Sequence, residues 1–150
     1  MKSATKIIGL LLIASMAIIT NQGCKKYEEG PAISFRSRAA RVANTWKVEK
    51  YIKNGVDETA QKYSASGDKR NYTETYTKDG FYSYSYIDDK NDSKSGSGKW
   101  EFQNKDNEIK RSGVSGQSTE TLVILKLKEK SFWFWYMDGG DKKEFHLIPN

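Results

Sequence analysis

Beyond residue 44 the chain alternates hydrophobic and polar positions with a period of two. That alternation sends successive side chains to opposite faces of a strand. Trp46, Val48 and Ile52 mark a first strand that ends at Asn54-Gly55, a pair that accepts the positive φ of a tight hairpin turn. Residues 56–61 are expected to pair back across that turn, and 63–70, with Ser64, Ser66, Gly67 and Asp68, read as a loop. Residues 71–77 carry the β-formers Tyr72, Thr73, Thr75 and Tyr76, and Lys78-Asp79-Gly80 gives a second hairpin. In 81–87, Tyr82, Tyr84 and Tyr86 share one face, and Ser83 and Ser85 the other. The stretch 88–98, DDKNDSKSGSG, has the composition of a flexible loop. A strand over 99–103 follows, with Trp100 and Phe102 on one face. Residues 104–107 turn, and 108–111 form a weaker strand around Ile109. Residues 114–118 read as a loop, 119–128 as the strongest strand, and 131–137 as a strand with five aromatics in succession. Asp138-Gly139-Gly140-Asp141 turns into a last strand over 143–148.

Eight or nine short strands joined in order by hairpin turns predict an all-β, antiparallel fold. An up-and-down barrel of about eight strands is preferred, because closure removes the exposed edges of an open sheet. Such a barrel has an interior that side chains fill or that holds one small ligand.

The chain begins differently. Lys2 and Lys6 precede a charge-free apolar run of 14 residues, 7–20, and then Gly23-Cys24. The run is shorter than the roughly 20 residues of a spanning helix and suits a signal peptide. Cys24, the only cysteine, stands where cleavage would fall, as in a bacterial lipoprotein signal whose cysteine becomes the lipidated first residue. The lipobox positions before it hold Asn21 and Gln22 rather than the usual aliphatic and small residues. The expected organisation is a signal peptide at 1–23, a lipid-anchored tether and short helical lead-in at 24–43, and one barrel domain at 44–150. Removing the 23 leading residues leaves 127 and takes two lysines away, so the formal charge falls from +6 to +4. Arg36, Arg38 and Arg41 in the lead-in either face lipid headgroups or cap one end of the fold.

Composition removes several function classes. One cysteine rules out an internal disulfide or multi-thiolate metal site, and one histidine rules out multi-histidine sites. His146 has Glu144 two positions away on the same face, but the residues read as ordinary strand positions rather than an acid/base pair. No Gly-x-Ser-x-Gly elbow is present, and Gly96-Ser97-Gly98 lies in the polar stretch. Asp88, Asp89 and Asp92 lack the EF-hand offsets and read as solvated charges. The modest positive charge forms no basic stripe, so nucleic acid is not expected as a partner. No cofactor, metal or enzymatic activity is expected.

Asn44-Thr45-Trp46, Tyr76-Thr77-Lys78-Asp79-Gly80, Gly98-Lys99-Trp100-Glu101-Phe102, the run from Ile124 to Leu127 into Phe132-Trp133-Phe134, and Glu144-Phe145-His146-Leu147 occur in that order. This series resembles the lipocalin-like domains of small lipoproteins of Bacteroidetes over residues 40–150. Asn44 stands where lipocalins usually have the Gly of Gly-x-Trp, and Asn tolerates a left-handed backbone better than other non-Gly residues. The resemblance implies a calyx-type barrel anchored to the outer membrane, facing the periplasm or the outside. Aromatic content and fold together suggest a small hydrophobic or amphipathic ligand in the barrel mouth, lined by Trp46, Tyr82, Tyr84, Trp100, Phe102, Phe132 and Phe134. The alternative is an envelope interaction module with a filled barrel. Two features bear on the choice. The tyrosine ladder at 82, 84 and 86 either fills the barrel or lines a pocket. Trp133 and Trp135 point away from the Phe132 face, to be covered by residues 31–43 or used in contact with a sugar, lipid or subunit.

Overall fold

The computed structural model describes residues 36–113 and 118–150. A short helix, α1 (Arg38–Val42), leads into β1 (Asn44–Lys53) and the two-residue β2 (Val56–Asp57). A second short helix, α2 (Thr59–Tyr63), precedes seven strands: β3 (Arg70–Tyr76), β4 (Phe81–Ile87), β5 (Ser93–Gln103), β6 (Glu108–Ser112), β7 (Glu120–Lys128), β8 (Ser131–Asp138) and β9 (Asp141–Pro149). Every pairing is antiparallel, and each strand from β3 onward pairs with the next. β1 pairs with β3 on one side and β9 on the other, closing an eight-stranded up-and-down barrel to which β2 is a small appendage.

The hairpin signals lie where the sequence places them. Asn54 and Gly55 both have positive φ, 50° and 85°, as a two-residue turn requires, and Gly139 and Gly140 do the same between β8 and β9. Gly80 closes the β3–β4 turn at φ 89°.

Three expectations need correction. The segment 56–61 pairs only at Val56–Asp57, because Asp57 then accepts hydrogen bonds from the amide and hydroxyl of Thr59 (3.0 and 2.6 Å), and the chain turns into α2. The stretch 88–98 is not all loop. β5 starts at Ser93 and pairs fully with β4, from Ile87↔Ser93 to Phe81↔Lys99. Composition hid this because the glycines are there for packing: a Cβ on Gly96 would lie 2.6 Å from the Tyr84 ring that covers it. In β1 the register shifts between Val48 and Lys50, so the phase flips and Tyr51, not Ile52, points inward. The outer faces of Trp133 and Trp135 are expected under residues 31–43, of which 31–35 lie outside the described residues. The described part of the lead-in packs against β7, and within the sheet these rings carry cover of their own. His146 stacks on Trp133 at 3.9 Å with the Lys126 ammonium 3.5 Å above the ring, and Lys142 lies over Trp135 at 4.9 Å. Of the expected loop 114–118, residues 114–117 lie outside the described residues, as do 1–35, including Cys24 and the signal segment.

The lead-in plugs one end of the barrel. Val42 is fully buried, its carbonyl accepts the Trp46 indole N–H (2.8 Å), and Arg41 donates to the Leu127 carbonyl (3.1 Å). Arg38 holds Asp106 beside it. Behind this plug sit Trp46, Ile109, Leu127, Phe132 and Leu147, all with no exposed surface.

Candidate functional site

At the opposite end the strands end differently. β3 pairs with β1 only as far as Lys47↔Thr73, and the opening beyond is covered by α2 and the 64–69 loop. Inside this mouth, alternation in three strands brings hydroxylated and charged side chains inward where the other end is mostly hydrocarbon. Tyr72, Glu74 and Tyr76 share a face of β3, Arg111 follows Ile109 on β6, and Glu120 precedes Leu122 on β7.

Glu74 and Arg111 are both almost completely buried and form the centre of the network. Arg111 Nη1 donates to Glu74 Oε1 (3.0 Å) and to the Tyr76 and Tyr82 hydroxyls (3.1 and 2.9 Å). Its Nε and Nη2 both reach Glu120 Oε2 (3.0 and 2.6 Å). Glu74 in turn accepts from the hydroxyls of Tyr72 (2.6 Å) and Tyr76 (2.8 Å). Buried charges of this kind persist only when paired and hydrogen-bonded throughout. Burial pushes the phenols of Tyr63, Tyr72, Tyr76, Tyr82 and Tyr136 up, so they remain neutral donors. The guanidinium also lies over the Tyr82 ring at 4.6 Å and Tyr136 at 5.6 Å.

Above the network is a cavity of about 60 Å³ walled by Tyr63, Tyr72, Tyr84, Tyr86 and Tyr136, with Lys69 at its rim. Tyr84 lies nearly parallel to Tyr72 and Tyr86 (ring centroids 6.4 and 6.1 Å). Tyr63 and Tyr72 also line a cleft of about 510 Å³ between α2, β1 and β3 on the outer side. An open groove of about 720 Å³ lies on the outer face of β3–β5, lined mainly by Ser and Thr. Its hydroxyls pair with one another, Thr73 with Ser85 at 3.1 Å and Thr45 with Thr75 at 3.0 Å.

The seven residues singled out from the sequence separate in space. Tyr82 and Tyr84 line the mouth cavity. Trp46, Trp100, Phe102 and Phe132 belong to the plugged end, where rings interlock: Trp46–Phe132 at 5.8 Å, Trp100–Phe102 at 5.3 Å, with Tyr76 bridging Trp100 and Phe132. Phe134 sits between the two zones, against Phe132 (4.9 Å) and Phe145 (5.4 Å). Glu74, Arg111 and Glu120 were not anticipated, although each is a charge in phase with the buried positions of its own strand, the signal that marks it. Lys69 had no such signal, since it lies in a loop. His146 Nε2 lies 2.8 Å from Glu144 Oε1 on the barrel's outer face, away from the cavity. Among the described residues no cluster of three or more His, Cys, Asp or Glu could hold a metal ion.

A model of the lipocalin-like domain matches residues 42–134. No curated protein matches. Among solved structures, a lipocalin-like protein from Bacteroides uniformis is similar at 14% identity, covering 73% of this chain and 99% of that one, with a TM-score of 0.48. An uncharacterized protein from Bacteroides eggerthii is similar at 12% identity over 69% and 97%, TM-score 0.44. Lobster apocrustacyanin A1 is similar at 11% identity over 73% and 61%, TM-score 0.51, and shares the fold.

Proposed function

Because the chain belongs to the lipocalin-like family, we propose that it is a non-enzymatic binding protein of the cell envelope, whose barrel mouth takes the end of a small amphipathic molecule. The observation that carries this reading is the asymmetry of the interior. One end is plugged and filled, while the other keeps a polar-aromatic cavity adjoining a larger cleft. A cavity of about 60 Å³ holds a headgroup-sized moiety, not a whole drug-sized ligand, which needs about 300 Å³ or more. The remainder of the ligand would lie in the cleft beside α2, which shares Tyr63 and Tyr72 with the cavity. In this reading lipidated Cys24 holds the protein on the outer membrane, through acyl chains worth about 0.8 kcal/mol per buried CH₂.

Native mass spectrometry of the protein purified from its own membrane tests the ligand. A small molecule that leaves on replacing Tyr84 by Trp, which fills the mouth, supports the proposal. The same small interior volume favours a second reading, an interaction module with a filled barrel. A ligand-free protein that no amphiphile stabilises would establish that alternative. Cys24→Ser should move the protein to the soluble fraction, and continued membrane association would remove the anchor from the account.

A further inference from the structure

The charge balance of the mouth names the chemistry of its occupant. The buried network holds one guanidinium against two carboxylates, Arg111 against Glu74 and Glu120. It is one positive charge short. Its hydrogen-bond donors are already committed: Arg111 to both carboxylates and two hydroxyls, Tyr72 and Tyr76 to Glu74. An incoming anion would therefore meet two carboxylates whose one guanidinium is already engaged. The cavity is lined by tyrosine hydroxyls, whose oxygens accept from an ammonium, and beside it the faces of Tyr72 and Tyr86 present a negative quadrupole that attracts cations. A cation is already there. Lys69, which among the described residues is bonded to no carboxylate, holds its ammonium 5.1 Å from the Tyr86 centroid and 5.9 Å from that of Tyr72, at the rim of the cavity.

We propose that the mouth is an aromatic cage for an alkylammonium group, and that Lys69 is its resident, displaceable occupant. This deepens the function proposed above and rests on it: the polar end of the amphipathic ligand is cationic. Tyr72, Tyr84 and Tyr86 form the walls, and the surplus carboxylate charge behind Arg111 supplies the long-range attraction. Lys69 rides on the loop after α2, tied by its amide to the Lys62 carbonyl (2.7 Å), so its side chain can swing out without disturbing a strand. Ligand binding then exchanges one cation for another. The ammonium comes either from a free amine or from an ethanolamine-type lipid headgroup.

The test measures binding of hexylammonium and of hexanoate to the full chain, wild type and Lys69→Met, by titration calorimetry. With the internal competitor gone, hexylammonium should bind roughly tenfold more tightly to the variant, a gain on the scale of one desolvated cation–π contact. Tyr86→Leu in the Lys69→Met background should lose that gain. Hexanoate should gain nothing. Displacement of hexylammonium by phosphoethanolamine assigns the headgroup source, and failure to displace assigns a free amine. If Lys69→Met leaves or lowers hexylammonium affinity, the cage is refuted. Tight hexanoate binding abolished by Lys69→Met would refute the cage yet keep the amphipathic reading, with an anionic end. If neither probe binds wild type or variant, both proposals fall together.

Discussion

The two ends of this barrel are built from the same alternation and end as opposite solutions to one problem, what to do with inward-facing side chains. At the plugged end the polar atoms are few and go to backbone carbonyls: the Trp46 indole to Val42 and the Trp100 indole to Thr77 (2.9 Å). Arg41 donates to the Leu127 carbonyl, and the rest of the buried interior there is aliphatic and aromatic hydrocarbon. At the mouth the polar atoms are many and satisfy one another, through Arg111, Glu74, Glu120 and the tyrosine hydroxyls. The first arrangement gains from removing apolar surface from water. The second gains little net energy from burying charge, because the desolvation of the ions offsets most of their attraction.

The largest effect should come from breaking the mouth network at its centre. Arg111→Met leaves Glu74 buried without its cation and should cost about 3–5 kcal/mol of stability, read from the denaturant midpoint. Adding Glu74→Gln should recover part of that loss, since the uncompensated charge is then removed. A loss under 1 kcal/mol would mean that water reaches Glu74 and that the two ends are less different than described. Next, Leu127→Ala at the plugged end should cost about 3 kcal/mol through the cavity it leaves, with ligand binding at the mouth unchanged. Coupled loss of binding would show that the ends are not separable.

A smaller and more local effect is expected from Gly96→Ala. Its Cβ would lie 2.6 Å from the Tyr84 ring, which must tilt into the cavity, at about 1–2 kcal/mol. Mouth binding should weaken while protection of plugged-end amides stays the same. Unaltered binding would remove Tyr84 from the cavity wall.

How much of this was legible in the sequence follows the same division. Turns read well because their cause is local: Asn54-Gly55, Gly80 and Gly139-Gly140 need positive φ, and few residues supply it. The closed antiparallel barrel followed from the turns and the alternation between them. Features with a nonlocal cause did not read. The start of β5 at Ser93 depends on pairing with a tyrosine ladder, one ring of which covers Gly96. The bulge near Glu49 reverses the phase of β1, so Tyr51 replaced Ile52 inside. The aromatics chosen for the site were too uniform a class: size and apolarity put Trp46 and Phe132 in the plug, whereas the mouth is marked by in-phase charge at 74, 111 and 120.

The smallest effect separates the ends by pH. Asp57, Asp88 and Asp141 lie in the turns at the mouth end, and each carboxyl is held below its ordinary value. Hydrogen bonds from Thr59 do this for Asp57, the Asp92 amide leads for Asp88, and the Lys53 ammonium for Asp141. A lowered carboxyl contributes stability that is complete above its unfolded value, about 3.9, and is lost as pH falls through its folded value. Acid should therefore loosen the mouth turns below about pH 4 before it touches the plugged end. The amides of Thr59, Lys90 and Asp92, which donate to these carboxylates at 3.0, 3.0 and 2.8 Å, are the reporters. Trp100, whose amide donates to the Gly80 carbonyl at 2.8 Å, reports the other end. Hydrogen exchange followed by NMR from pH 5 to pH 3 should show the first group lose protection relative to the second. Equal loss at both ends would mean that the barrel opens as one unit and that the two ends are not independent in stability.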